Sequence, residues 1–468
     1  VSGVLVVGYG PAAHRLVERL RHHGHHGPVT VLGAEPACHR PLLTSVLAGE
    51  LPPEAAVPPP PPGDTRVLLG VRAVRVDRRA RAVHTDDGSV HPYDTLVLAT
   101  GARPDVPRLP GVPGEGVRTV RSPADVTGLA DGPRSGPGGG PGGGPGGGPG
   151  AGPVAVLGGG VLGVETAFAL RRAGREVTLV HPGPHPMDHL LDARAGALLA
   201  ARLAEYGVRL CPGRRAVEYA PGKLTLTDGR MVGADTLLLC TGVVPDTRLA
   251  RQAGLPVRRG VVVDDRLRTG DPRIHAIGDC AEHAGQVPGL LSCAWEQAET
   301  LARLLAGQRV RHRPARTVVR LRAPGTDLAV LGPPGAPGDE SVTLSDPSRG
   351  RYAALTLDGD RITGGVLIGL PRAIAAVSRL HDRDLPVPAG RLALLLGSAA
   401  PGPGRVELPD DTVLCFCNNV TRAALAAAWR AGARDLPALA AATRATTGCG
   451  TCADDVRRLC ETLPAAAR

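Results

Sequence analysis

Aromatic residues are nearly missing from this sequence: two Trp, five Tyr and two Phe in 468 residues, 2% of the chain. The interior must therefore be built from Val, Leu and Ala, and the bases of a nucleic acid would find no row of rings to stack on. Basic residues outnumber acidic ones, 54 to 44, for a net charge of +10 and a pI near 9.5. The arginines are dispersed without a basic block, so the excess reads as ordinary surface charge and not as a nucleic-acid footprint, with a weakly attractive surface for an acidic electron-transfer partner as the alternative. Also missing is any apolar run approaching the about 20 residues of a membrane span. The opening VSGVLVVGYG has no basic n-region and is broken by Gly8, which makes it a strand rather than a signal peptide. A cytoplasmic protein with no membrane or nucleic-acid partner is expected. Ten cysteines, four of them in paired motifs, suit thiols kept reduced for a metal better than a secreted disulfide framework.

What is present is globular in balance, with 43% hydrophobic and 21% charged residues, in a chain long enough for about three domains. The apolar strand VLVV leads through GYGPAA to the helical pattern HRLVERLRHHG, and then to a second strand, VTVLGAE, ending at Glu35. VAVLGGGVLGVETAFALRRAG followed by VTLVHPG repeats that unit. Between the two lies GPGGGPGGGPGGGPGAGP, which has no side chains to bury and reads as a tether. The proline run 58–62 reads as a surface loop, as does the histidine-rich RHHGHHG at 21–27. From 314 onward short alternating strands, ARTVVRLRA and RYAALTLDGDRITGGVLIG, precede the helix PRAIAAVSRLHDR and indicate an α+β module. A final segment from about 406 is expected to be helical and carries the paired cysteines.

Each strand-turn-helix unit carries a dinucleotide fingerprint. In the first, Gly8 allows the tight turn, Gly10 lets backbone amides approach a pyrophosphate, and Ala13 is small enough for helix-strand packing. Glu35 can accept both ribose hydroxyls of an adenosine. The second, Gly158, Gly160 and Gly163 with Glu165, again sets a helix start against a pyrophosphate. The next strand ends on His181, neither the acid that selects NAD nor an arginine that selects NADP, so this reading leaves NADH or NADPH open. DTLVLATGARPD and DTLLLCTGVVPD, at 94–105 and 235–246, repeat each other as a strand, a Thr-Gly and a proline turn; in RIHAIGDCAE, Asp279 is placed to meet a polyol.

The order of these motifs over about 4–307 resembles the FAD-dependent pyridine-nucleotide oxidoreductases. The resemblance implies that Gly8, Gly10, Ala13, Glu35, Thr100, Gly101 and Asp279 hold FAD, and that Gly158, Gly160, Gly163, Glu165 and Gly242 hold NADH or NADPH. HRPLLTSVLAGEL resembles the family's flavin-passing segment and adds Arg40 and Thr44; the lysine frequent there is replaced by Ser45, so its role is not inherited. The flavin carries the chemistry, and no side chain is assigned a catalytic part. Disulfide reductases of the family bear a CxxxxC pair beside the flavin, whereas the N-terminal region here has only Cys38. Cys280 and Cys293 read as small buried residues. Electrons must leave by another route.

Cys415, Cys417, Cys449 and Cys452 form a CxC and a CxxC, a set that zinc or a two-iron, two-sulfur cluster could accept. Thr421 can cap one helix, Asp435 with Pro437 can open another, and Cys452 precedes a third; Gly448 and Gly450 allow a tight fold over a metal, while Cys460 reads as structural. CFCNNVT with TGCGTC resembles the bacterioferritin-associated-ferredoxin-like domain, which implies a [2Fe-2S] cluster on these four thiolates.

The expected fold is α/β: two Rossmann-like dinucleotide-binding domains, a small α+β interface domain and a small helical cluster-binding domain. The expected limits are 1–130 and 271–312 for the FAD domain, 131–153 for the linker, 154–270 for the NAD(P)H domain, 313–400 for the interface domain and 405–468 for the cluster domain. The combination resembles the electron-transfer subunit of assimilatory nitrate reductase and the N-terminal half of NAD(P)H nitrite reductase large subunits. The chain ends sixteen residues after Cys452, without room for a sirohaem module. The expectation is therefore electron delivery to a separate nitrate or nitrite reductase protein, or else to a small electron carrier as a general ferredoxin or rubredoxin reductase. A non-enzymatic redox-sensing module is the remaining alternative.

Overall fold

The structure, a computed structural model, describes residues 3–61, 63–130, 152–313, 316–323, 325–333, 335, 338–397, 410, 412–415, 420–446 and 452–463. The chain divides into two compact units. One comprises Val1–His39, Val57–Asp105 and Gly242–Thr317; the other comprises Arg40–Ala56, Val106–Thr241 and Val318–Arg468.

The first unit is built on a parallel sheet in the order Ile274–Ala276, Thr95–Leu98, Val4–Val7, Val29–Gly33, Thr65–Leu69. Val4–Val7 is buried at every residue, which explains why it is a continuous apolar run instead of an alternating one: a central parallel strand is covered on both faces. The helix Pro11–His22 opens with proline at its first turn and buries Ala12, Ala13, Leu16, Val17 and Leu20. It packs on the helix Leu291–Leu305, where Glu299 accepts from Arg19 and meets His23 Nε2 at 2.8 Å. The histidine-rich stretch is thus not simply a solvated loop. The helix runs through His22, His23 is bonded to its neighbour helix, and His25 is buried. Among the described residues no cluster of metal-ligating side chains forms. The proline run is tied down by His14 Nε2, which donates to the Pro59 carbonyl at 2.8 Å.

The second unit repeats the plan, with parallel strands in the order Arg209–Pro212, Val177–His181, Val154–Leu157, Thr236–Leu239, Val117–Thr119. Each parallel sheet is accompanied by a three-stranded antiparallel one, Ala73–Asp77 with Ala82–Thr85 and Val90–Pro92 in the first unit, Ala216–Ala220 with Gly222–Leu226 and Met231–Ala234 in the second. Val117–Thr119 pairs with Thr236–Leu239, and Val243–Pro245 pairs with Ala102–Pro104. The chain passes between the two units near 105 and 241, as it also does near 39, 56 and 317; these three-residue strands are too short to show a period in sequence. Most of the tether, 131–151, lies outside the described residues.

Beyond Thr317 a five-stranded antiparallel sheet has the order Val318–Ala323, Thr326–Leu331, Arg361–Ile368, Arg351–Asp358, Glu340–Asp346. The helix Pro371–Asp382 buries Ala373, Ile374 and Val377 in the core of this module. The tail opens with a small hairpin, Val413–Cys415 with Val420–Thr421, where helix was expected, and continues as helices Arg422–Arg430, Leu436–Thr443 and Ala453–Thr462. Thr421 accepts from the Ala424 amide and Asp435 from the Ala438 amide, the caps read from sequence. Among the described residues no helix is long and apolar enough to cross a membrane.

One carboxylate ties the second unit's parallel-sheet fold to the C-terminal antiparallel sheet. Asp192 Oδ1 caps the helix Ala193–Glu205 through the Arg194 and Ala195 amides, both at 2.9 Å, and Oδ2 accepts from the buried Tyr352 hydroxyl at 2.7 Å. Burial, then the Asp192 bond, pushes the Tyr352 phenol up to about 12. Asp192→Ala should lose the cap, about 1 kcal/mol, and the tyrosine bond, about 1 to 1.5 kcal/mol. Tyr352→Phe should lose only the second. Urea midpoints followed by circular dichroism should fall in that order, and an unmoved midpoint in Asp192→Ala would contradict the tie.

Candidate functional site

In the first unit Gly8, Glu35, Thr100 and Asp279 each follow the carboxyl end of a neighbouring strand of one parallel sheet. That edge is where open α/β sheets bind ligands. Gly8 has φ +99°, and a Cβ there would overlap the Ala99 carbonyl oxygen, so the turn accepts only glycine. Gly10 is the extended N-cap of the 12-residue helix Pro11–His22 and offers no capping side chain; no acidic residue lies in the first turn. The leading amides are left to an anion, the role a pyrophosphate fills. Ala13 is fully buried, so its position tolerates a methyl group. Glu35 is exposed two residues past Val29–Gly33. Thr100 Oγ1 donates to the Asp246 carbonyl at 2.6 Å and Gly101 has φ +67°. Asp279 lies half-buried in the short turn Gly278–Cys280, held by the Gly278 amide donating to the buried Gln297 Oε1 at 2.7 Å.

The second unit makes the same turn with Gly158 at φ +110°, whose Cβ would overlap the Cys240 carbonyl, and with Gly160 as the uncapped start of the helix Val161–Arg172. A Cβ on Gly163 would overlap the Gly158 oxygen, so this fingerprint needs its third glycine. Glu165 is buried in the helix. Gly242, φ +104°, is the first residue of the chain's return to the first unit. Arg40 and Thr44 fall with the second unit, on the turn Arg40–Leu42 and the helix Leu43–Leu47, whereas the other FAD candidates fall with the first. Thr44 is buried, and Arg40 Nε is buried with no hydrogen-bond partner, a donor fit for an anionic or carbonyl acceptor.

Of the four cluster candidates, Cys415 ends the hairpin's first strand, fully buried, and Cys452 is the buried N-cap of Ala453–Thr462. Cys417 and Cys449, with Gly448 and Gly450, lie outside the described residues. Two thiols on a hairpin end and a helix start suit thiolate ligation to a soft metal centre. Burial pushes the Cys240 thiol up to about 12 and Cys293 up to about 11, and raises Cys280, whose Sγ lies 3.4 Å from the Leu98 carbonyl.

The pyridine nucleotide-disulphide oxidoreductase model matches residues 2–298. The chain belongs to that family. A BFD-like [2Fe-2S] binding domain matches residues 413–461. The chain is accordingly an NAD(P)H-dependent flavoprotein oxidoreductase of α/β fold, with FAD, NAD(P)H and a [2Fe-2S] cluster as its cofactors. It is 28% identical over 468 residues to a nitrite reductase [NAD(P)H] of Bacillus subtilis (strain 168), covering 96% of this chain and 56% of that one. It is 27% identical over 467 residues to the assimilatory nitrate reductase electron transfer subunit of the same organism, covering 96% and 58%. The chain thus spans little more than half the length of either relative, and where it stops distinguishes nothing between them. In fold it is similar to the covalent putidaredoxin reductase–putidaredoxin complex, with a TM-score of 0.73 at 24% identity over 86% of this chain and 97% of that one.

Gly8→Ala should yield folded protein with less than about a tenth of the wild-type flavin, read from the visible spectrum, because the substitution closes the turn by about 1 to 3 kcal/mol of strain; full flavin retention would contradict the turn's role. Native protein treated with iodoacetamide at pH 8 should remain unlabelled at Cys240, Cys280 and Cys293 by peptide mass spectrometry. Rapid labelling of Cys280 would contradict the absence of a working thiol there.

Proposed function

We propose that this chain delivers electrons from NAD(P)H, by way of its flavin and its cluster, to a separate nitrate or nitrite reductase protein. The observation that supports this reading best is one chain with two dinucleotide folds, thiols at Cys280 and Cys293 of the first unit that burial holds up, and a cysteine-bearing tail with buried Cys415 and Cys452. A flavin accepts an electron pair as hydride and releases electrons singly, which suits a one-electron cluster downstream. The protein's part is to hold the dinucleotides at the carboxyl ends of its two parallel sheets and to bury the cluster thiolates in the tail. Both curated relatives named above belong by their names to nitrite or nitrate reduction, and that shared context is what favours this acceptor over a ferredoxin or rubredoxin.

The test separates the two halves of the path. Cys415→Ser should keep NAD(P)H-driven flavin bleaching within about twofold of wild type while losing the iron absorbance and at least about nine-tenths of electron delivery to a purified nitrate reductase. Delivery to ferredoxin or rubredoxin with none to nitrate or nitrite reductase would reassign the partner. Undiminished nitrate reduction by the variant would remove the cluster from the path.

A further inference from the structure

The strand Val177–His181 ends where a carboxylate would ordinarily take the adenosine ribose, and the side chain there is a buried imidazole. His181 does not face outward as such a residue would. The Gly159 amide donates to His181 Nδ1 at 3.1 Å, which leaves the proton on Nε2, and Nε2 donates to Asp188 Oδ1 at 2.8 Å. The Met187 amide in turn donates to the Gly159 carbonyl at 2.7 Å. The two backbone groups of Gly159 are therefore held by the end of the strand and by the segment that follows it. A Cβ on Gly159 would lie 2.7 Å from His181 Cγ, which accounts for the glycine that follows Gly158. A Cβ on Gly183 would overlap the Asp188 carboxylate, so that group lies against the exit of the strand, with its side chain 15% exposed.

The charges around this pair are of one consequence. Burial pushes the Asp188 carboxyl up, but the His181 hydrogen bond, with the neighbouring imidazoles of His181, His189 and His185, outweighs it and holds the group below its ordinary value. The arginine at the exit of the adjoining strand, Arg214, donates its amide to the His181 carbonyl at 3.2 Å. Its guanidinium is already engaged, Nε with Asp228 Oδ2 at 2.8 Å and Nη1 with the Pro212 carbonyl at 2.7 Å. A 2'-phosphate would meet a carboxylate here and an arginine already paired to another.

We propose that His181 and Asp188 together stand in for the acidic residue of the fingerprint, with the Asp188 carboxylate accepting the adenosine-ribose 2'-hydroxyl, and that NADH is consequently the preferred electron donor. His181 is a positioning residue, orienting the carboxylate and fixing the glycine turn; Asp188 sets specificity. The inference rests on residues 158–163 being the NAD(P)H site, not on the identity of the final acceptor.

The test uses the flavin-loaded protein and two redox-inert fragments, ADP-ribose and 2'-phospho-ADP-ribose, by titration calorimetry, with anaerobic flavin bleaching by NADH and by NADPH alongside. Wild type should favour ADP-ribose and NADH by at least about tenfold, as like-charge juxtaposition requires. Asp188→Asn, which preserves shape, should erase most of that ratio by admitting the phosphorylated fragment. His181→Ala should weaken both fragments together. A wild-type preference for the phosphorylated fragment, or an unchanged ratio in Asp188→Asn, overturns the inference while leaving hydride transfer intact. Absence of bleaching by either nicotinamide overturns hydride transfer itself, and with it the proposed function.

Discussion

A single backbone contact, made twice, underlies what this chain can do with a dinucleotide. At the end of Val4–Val7 the Cα of Gly8 comes so close to the Ala99 carbonyl that no Cβ fits, and at the end of Val154–Leu157 Gly158 does the same against Cys240. Each contact forces a positive φ, turns the chain sharply into a helix, and aims uncapped helix amides across the carboxyl edge of a parallel sheet. The neighbouring strand ends then supply the rest: Thr100 bonded to Asp246 and Asp279 beside the Gln297-anchored Gly278 in the first unit, His181 and Asp188 in the second. Side chains make the sites selective, but the glycine-carbonyl contact makes them possible.

The two copies differ in informative ways. Ala13 replaces the third glycine of the first turn without cost because that position is merely buried, whereas Gly163 sits directly over the Gly158 oxygen. Glu35 is exposed just past its strand, while the corresponding end of the second unit's strand has its imidazole folded inward. The two units thus present two versions of one architecture, one with a carboxylate directly after its strand and the other reaching a carboxylate, Asp188, through a histidine.

Much of this was legible in the sequence because buried parallel strands and glycine turns leave dense local signals. Val4–Val7, the two fingerprints, the helix Pro371–Asp382 and the caps Thr421 and Asp435 all rest on neighbouring residues. What was not legible depends on distant pairing. Nothing in VRT or VVP announces that Val117–Thr119 extends the second sheet or that Val243–Pro245 returns to the first unit. The hairpin carrying Cys415 is two and three residues of strand beside helix-rich sequence, and the histidines of 21–27 are drawn into packing by Glu299, 276 residues beyond His23. His181 was visible only as a residue that was neither acid nor arginine; its bond to Gly159 was not.

The central claim is that electrons entering at the flavin leave through the cysteine-bound cluster. Anaerobic holoprotein mixed with NADH and freeze-quenched over a single turnover tests it most directly, with flavin absorbance and electron paramagnetic resonance read on the same samples. The account predicts that flavin bleaching comes first and that a reduced [2Fe-2S] signal then grows as one electron per flavin passes on, the second staying on the flavin until an acceptor is added. A flavin that stays fully reduced beside a cluster that stays oxidised would contradict it.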